Sequence, residues 1–273
     1  MRIIALLATF NEQRFIGACL DHLARHGIDA YVIDNDSTDD TVSIVRQFAG
    51  RNLIGIESFP RHGSYPWRTI LERKTALAAE LDADWFMHAD PDEIRLPQAP
   101  GQTLADAFAQ ADAAGYNAVN FIEFTFVPTR QSPDHDHADY LRTMRWYYPY
   151  EPVFPNQLKA WKKQAGSVDL ASSGGHRVQF PGLRMYPTSF PMRHYLFLSA
   201  EHAIRKYVRR VYDPSELAAG WHRARSRLTA ENIVLQDASD LRVYEGDDQL
   251  DGSEPLVAHP LFSNFPQPEV PPS

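Results

Sequence analysis

Thiol chemistry is almost absent from this 273-residue chain, which has one cysteine, Cys19. One thiol cannot close an internal disulfide or build a cysteine-rich zinc site, and its isolation points to a reducing compartment. Cys19 falls on the apolar face of an expected helix, where packing accounts for it better than reactivity. A basic excess is also missing. The formal net charge of −8 argues against a generic nucleic-acid binder, so no nucleic acid is expected as a partner. No stretch approaches the roughly 18 apolar residues of a membrane-spanning helix. The apolar run from Met1 to Ala8 is too short for a signal peptide and leads into polar residues. A cytoplasmic location is therefore expected, with peripheral membrane contact left open. There is no internal repeat. Glycine-rich phosphate loops are lacking too: no G-x-G-x-x-G follows the first expected strand, and no P-loop occurs. A bound nucleotide would need another way to offset its phosphates.

What is present is organised around Asp84-Trp85-Phe86-Met87-His88-Ala89-Asp90-Pro91-Asp92-Glu93. The stretch begins as a short apolar run that reads as a buried strand. It ends in three carboxylates, Asp90, Asp92 and Glu93, and Pro91 ends any ladder there because it has no N–H. Carboxylates just past the end of a buried strand sit where open α/β sheets bind ligands. Like charges this close need a cation or basic group, and hard oxygen donors suit Mg²⁺ or Mn²⁺. An acidic surface turn is the plainer alternative.

Around this stretch the chain alternates. Strands are expected at Arg2 to Ala8, Ala30 to Asp34, Asn52 to Glu57 and Trp85 to Ala89. Between them, Glu12 to His26, a segment carrying Val42, Val45 and Phe48, and Pro66 to Leu81 have helical spacing. The order predicts a mostly parallel sheet with helices on both faces. Thr103 to Ala114 should follow as a helix and Ala118 to Val127 as a long strand. Pro128 to Pro155 is then expected as a loop-rich insertion. Short strands are expected near Gln157 to Lys162 and His176 to Phe180. Ser199 should cap a helix that turns Ala203, Ile204, Tyr207, Val208 and Val211 inward. Less regular helix should reach about Leu228, and the Pro-rich tail from Glu254 should be extended or disordered.

Three loops should meet at the strands' C-terminal ends: Thr9-Phe10-Asn11-Glu12, Asp34-Asn35-Asp36 and Asp90-Pro91-Asp92-Glu93. Asp34 can accept hydrogen bonds from a ribose or base, and Asn11 and Thr9 can bond a base edge. For Asp34 and Asp36 an Asx-turn role stands beside that one. A metal held by Asp90 and Asp92 would offset the phosphates that no glycine loop cradles.

These three motifs, in this order and spacing, resemble the family 2 glycosyltransferases of the GT-A fold. The resemblance covers about residues 1–127, and more loosely a segment around Arg193 to Lys206. It implies a Rossmann-like α/β sheet, a UDP- or GDP-sugar donor, Mn²⁺ or Mg²⁺ at a D-x-D element, and transfer to a carbohydrate or other hydroxyl acceptor, as in bacterial glycan or polysaccharide synthesis. By position, it puts Thr9, Asn11, Glu12 and Asp34 at the nucleoside, with Asp36 beside them. Asp90 falls near the ribose or donor sugar, Asp92 on the metal, and Arg73 becomes a candidate diphosphate partner. Arg193-His194-Tyr195 resembles the late element whose histidine completes a metal shell in several GT-A enzymes. The helix after it could carry Lys206 or Arg209 to the phosphates.

The family's acceptor-side acidic motif is not evident, so the catalytic base of an inverting transfer is open between Glu123 and Asp169. Asp169 is preferred because Ser172-Ser173-Gly174-Gly175 lets an acceptor approach closely. The cluster Asp134-His135-Asp136-His137 reads as a surface loop. As organisation, residues 1–212 are expected to form the GT-A domain, with its nucleotide half to about 127 and its acceptor half from 128. Residues 213–273 are expected as a helical extension and tail. Two other readings stand. A nucleotidyltransferase would usually show a basic, glycine-rich loop after strand one, which is lacking. A non-catalytic nucleotide- or carbohydrate-binding module could use Trp146 to Tyr150 as a stacking platform.

Overall fold

The computed structural model describes residues 1–263. Its first half is built as the alternation predicts. Strands β1 (Ile3–Thr9), β2 (Asp29–Asp34), β3 (Leu53–Ser58) and β4 (Trp85–Ala89) lie parallel in the order β4-β1-β2-β3. Helices α1 (Ile16–Arg25), α2 (Thr41–Arg46) and α3 (Trp67–Glu80) make the crossovers. The strands read as continuous apolar runs because both faces are covered. One face packs against α1, α2 and the later α4 (Leu104–Ala113), through Leu20, Leu23, Val45 and Phe108. The other packs against α3 and a loop layer through Leu71, Leu77, Leu170 and Val178. Thr103 caps α4 reciprocally with Asp106, a capping box.

Past β4 the sheet turns largely antiparallel. Short β5 (Glu93–Arg95) leaves the acidic turn, and β6 (Ala118–Phe126) follows α4. The stretch expected as a loop-rich insertion instead contains α5 (Tyr140–Thr143) and strand β7 (Trp146–Tyr150), which pairs with β6 from Phe126–Tyr147 to Glu123–Tyr150. Its aromatic residues suit a pleated, half-buried surface, which outweighs Pro149. Pro149 lies beyond the two residues of β7 that its other neighbour covers.

Strand β8 (Gln157–Lys162) inserts between β4 and β6, where a short strand was expected. His176 to Phe180 forms no strand, only the isolated pairings Leu158–Arg177 and Asp169–Gln179. The unforeseen β9 (Phe190–Tyr195) runs parallel to β6 and antiparallel to β5, tying the acidic turn to the second half.

Ser199 caps the expected helix, its Oγ accepting from the His202 N–H at 3.1 Å. After α6 (Ala200–Ala203) the backbone widens into a π-helical segment, Ile204–Val208, and stops. Val211 therefore does not face inward as expected but is 60% exposed. After α7 (Pro214–Ala218), a two-residue β10 (Arg242–Val243) joins the edge of the same sheet beside β7. The first part of the tail, expected as extended or disordered, returns across the sheet. The Leu256 N–H donates to Pro149 O and the Glu151 N–H to Leu256 O, both at 2.9 Å, before α8 (Pro260–Ser263). The rest of the tail lies outside the described residues.

The contrast between Leu198 and Val211 can be measured. Leu198 is fully buried among Phe15, Phe126 and Tyr195, so Leu198→Ala should cost about 2–5 kcal/mol in denaturant unfolding. Val211→Ser should stay within about 0.5 kcal/mol. A large loss at Val211 would contradict this end of the helix.

Candidate active site

The strand ends and the loop layer enclose a cavity of about 670 Å³. Its floor is the edge carrying Thr9, Asp90, Asp92 and Glu93, and Lys206, Arg210 and Arg225 face it from the second half. A neighbouring cavity of about 780 Å³ shares Phe10, Glu12, Lys206 and Arg210 with it and extends over Asn11, Asp36 and Arg61.

The loops after β1 and β2 clasp each other. Thr9 Oγ1 donates to Asp34 Oδ1 at 3.1 Å, and the Ser37 N–H donates to Asp34 Oδ2 at 3.1 Å. The Thr38 N–H donates to Asn11 Oδ1 at 2.8 Å, and the Arg61 N–H donates to Asp36 Oδ2 at 2.8 Å. Asn11 and Asp36 both adopt positive φ, 57° and 61°, which short polar side chains tolerate. The Arg61 guanidinium lies 3.6 Å over the Phe10 ring. The turn-forming role of Asp34 and Asp36 is thus present. Asn35, between them, was not singled out by sequence reasoning. It lines the large cavity, 1% exposed, with Oδ1 buried and unpartnered among the described residues. An unpaired buried acceptor is costly, so a ligand donor there would relieve it.

The acidic turn buries Asp92 and Glu93, leaves Asp90 half-buried, and is balanced by the protein's own cations. Lys206 Nζ makes a short hydrogen bond to Asp92 Oδ2. Glu93 is held by Arg95 at 2.5 Å and by Lys159 at 2.8 Å. Asp90 Oδ2 stands 3.6 Å from Lys159 Nζ and 4.0 Å from His88 Nε2. Beneath it, fully buried Lys74 donates to His88 Nδ1 at 2.7 Å and to Ala89 O at 3.2 Å. Burial pushes Lys74 down to about 7. Lys159 and Lys74 were both missed, because a lysine in a strand or helix looks like a solvated residue until its neighbours are known.

His194 sits between two acids, Nδ1 2.6 Å from Glu123 Oε1 and Nε2 3.4 Å from Asp92 Oδ2. Burial disfavours the charge on each of the three groups. Attraction wins: the two carboxylates raise His194 well above its ordinary range, His194 lowers Glu123 to about 2, and Lys206 with His194 holds Asp92 well below the usual carboxylate range.

Of the three expected metal ligands, the structure brings Asp92 and His194 together, as an ion pair that Lys206 shares, so a metal there would have to displace the proton on His194. Asp92 Oδ2 and His194 Nε2 are separated by a little more than the ~3 Å edge of an octahedron with 2.1 Å bonds. The Glu123 contact fixes the imidazole as carboxylates fix metal-binding histidines. Asp90 does not join them; its carboxylate faces Lys159 and His88. Among the described residues no three His, Cys, Asp or Glu side chains gather as a cage.

Two other expected site residues lie elsewhere. Arg73, expected at the diphosphate, binds Glu57 at 2.8 and 2.9 Å and Glu80 at 2.8 Å, tying α3 to β3 outside the cavity. Asp169, the preferred base, accepts from the Ser172 N–H at 3.0 Å as an ordinary turn residue and does not line the cavity. The adjoining Ser172 to Gly175 loop does.

A sequence profile described as glycosyl transferase family 2 matches residues 5–152, more than half of the chain. The chain belongs to glycosyl transferase family 2. An uncharacterized protein of Mycobacterium tuberculosis is 34% identical over 96 residues, 34% of this chain and 23% of that protein. An uncharacterized glycosyltransferase of the same organism is 31% identical over 87 residues, 32% and 38% of the two chains. The chain thus spans well under half the length of the curated relatives it matches. Among solved structures, Staphylococcus aureus TarS in complex with UDP aligns with a TM-score of 0.47 at 14% identity, over 75% of this chain and 66% of that one. Glucosyl-3-phosphoglycerate synthase from M. tuberculosis, in complex with Mn²⁺, UDP and phosphoglyceric acid, aligns at 0.31 and 20%, over 45% and 43%. The family sequence match ends at residue 152, whereas the cavity also draws on Lys159, His194, Lys206, Arg225 and His259.

Glu12 offers a pH test of the site. Burial, reinforced by Asp92 and Asp90 and countered by Lys206 and Arg210, raises it from 4.5 to about 8. An acid raised on folding favours the fold at low pH and withdraws that support as pH climbs through the folded value. From pH 5 to 8 the wild type should therefore lose stability relative to Glu12→Gln, by at most about 1.4 kcal/mol per unit. Parallel stability curves for the two proteins would rule this out.

Proposed function

We propose that this family 2 chain transfers a sugar from a nucleoside-diphosphate donor, UDP- or GDP-linked, to a hydroxyl acceptor by single displacement with inversion. The observation that supports this best is the opposition inside one cavity of the acidic turn and cations reaching it from the second half. Arg210 Nε is buried with no hydrogen-bond partner among the described residues. Its guanidinium lies 4.6 Å over the Tyr65 ring, and that of Arg225 lies 5.8 Å over Tyr207 and over Phe262. Such a wall offsets a diphosphate without a glycine loop.

In this reading the base lies over the Phe10, Asn35 and Asp36 side of the paired cavities. The diphosphate lies between Asp92 and the Lys206–Arg210 wall. The sugar lies toward Trp67 and Trp221, which suit stacking on a pyranose face. Asp92 and His194 would hold a divalent cation, whose chemistry is to neutralise charge on the departing diphosphate. Lys206 supplies the same sign of charge from the protein itself. The rest of the rate comes from positioning: the cavity holds the donor's anomeric carbon before an acceptor oxygen.

Thermal denaturation with UDP, GDP and their sugars, with and without Mn²⁺, tests the reading. A nucleotide at about 100 times its dissociation constant should stabilise the fold by roughly 2.7 kcal/mol. Asp92→Ala should abolish the Mn²⁺-dependent part of the nucleotide affinity in calorimetry. If no nucleotide stabilises the wild type, the assignment fails.

A further inference from the structure

We propose that the acceptor hydroxyl belongs to an anionic molecule, whose phosphate or carboxylate group is received by Arg177 and Arg225. This rests on the transferase reading above and names its second substrate by charge. Both arginines line the large cavity and both are half-buried. Among the described residues neither guanidinium has an ion pair or a hydrogen bond. Arg177 is fixed through its backbone, its N–H donating to Ser173 Oγ and its carbonyl accepting from the same hydroxyl, each at 2.8 Å. Arg225 lies over the rings of Tyr207 and Phe262, which hold its position but do not neutralise it.

The carboxylates on this side of the cavity are already answered. Glu93 is held by Arg95 and Lys159, and Asp90 stands 3.6 Å from Lys159. Glu123 accepts from His194, Thr125 and Gln157. A guanidinium set into a cavity wall gives up part of its hydration. An anion restores it best, because the planar fork presents paired N–H donors that match a phosphate or a carboxylate. Arg223 lines the same cavity but is exposed, so water serves it.

The donor does not use these two charges. Lys206 and Arg210, which take the diphosphate in the reading above, line both cavities, whereas Arg177 and Arg225 line the large one alone. Arg225 stands over Phe262, and the Phe262 ring is 5.8 Å from His259. His259 stacks on Tyr150 at 3.6 Å, and Tyr150 pairs with Glu123 across β7 and β6. Arg177 belongs to the segment beside β8, where the Val178 N–H donates to Leu158 O at 2.9 Å. In the order β7-β6-β8-β4-β1-β2, both arginines are therefore across the acidic turn from the nucleoside loops. That is the side from which an acceptor meets the donor sugar.

Calorimetry on the full chain tests this, with the nucleoside diphosphate that stabilises the wild type held at saturation so that the donor's phosphate positions are filled. Inorganic phosphate, glycerol phosphate, glycerate and glycerol are then titrated in turn. Inorganic phosphate and one or both of the anionic glycerol compounds should bind, and glycerol should not. Arg177→Gln and Arg225→Gln should each weaken the anion about 10–100-fold, while Arg177→Gln leaves the affinity for the nucleoside diphosphate unchanged. If Arg225→Gln does not fold, Arg177→Gln carries the test, since its side chain has no partner to lose. Tighter binding of glycerol phosphate or of glycerate names the group. Binding to phosphatidylglycerol vesicles that Arg177→Gln abolishes would put that phosphate on a lipid, and glycerol phosphate binding without vesicle binding would put it on a free molecule. Undiminished anion binding by Arg177→Gln overturns the proposal, as does an equal loss of nucleotide affinity, which would assign the arginine to the donor. A wild type that binds nucleotide but no anion also overturns it and leaves the transferase reading standing. A wild type that binds no nucleoside diphosphate removes the transferase reading itself, and the anionic acceptor with it.

Discussion

Burying the adjacent carboxylates of Asp92 and Glu93 beside half-exposed Asp90 is the constraint on which the rest of the structure depends. Asp92 and Glu93 are 6% and 4% exposed, and isolated charges at that depth cost several kcal/mol each unless paired. Their partners come from distant parts of the chain: Lys159 on β8, His194 on β9 and Lys206 after α6. Within the first half Arg95 answers Glu93, but both cations on Asp92, His194 and Lys206, come from the second. The charge of Asp92 therefore ties the first half to the second, and folding one without the other would leave that carboxylate without its cations.

This explains which parts were legible in the sequence. Strands β1 to β4 and helices α1 and α3 follow from apolar runs and helical spacing, which report burial within one element. The three loops that meet at the strand ends could be located because parallel topology puts them there. Strand β5 was invisible because it is three residues long, and β9 because Phe190–Tyr195, with Pro191, Arg193 and His194, shows no apolar run and takes its place from pairing with β6 and β5. Trp146 to Tyr150 was misread because Pro149 and the polar stretch before it outweighed the aromatic run.

The errors at the site have a different cause. Arg73 and Asp169 were chosen for charge and for nearness to a motif in sequence, and neither criterion knows which way a side chain points. Arg73 leaves the opposite side of α3 from buried Lys74, and one residue of helix is enough to exchange solvent for the heart of the acidic turn. His194 was singled out only because Arg193-His194-Tyr195 resembles a late element of the family, and the structure sets it against Asp92. Nothing near His259 in the sequence, set among prolines and valine, suggests a site.

The π-helical segment ties these points together. An ordinary α-helix from Ser199 through Val211 would keep an apolar stripe inward, with the basic residues on its other sides. The wider turn over Ile204–Val208 instead carries Lys206 in to Asp92 and to Leu196 O at 3.1 Å, and ends the helix before Val211. Such turns cost helical stability and are found mostly at functional sites. Here the compensation is visible: the Tyr195 N–H donates to Asp92 O at 2.8 Å, so backbone and side chain of one residue are both held from the second half. A turn held at both ends is rigid where a donor's diphosphate would need it to be.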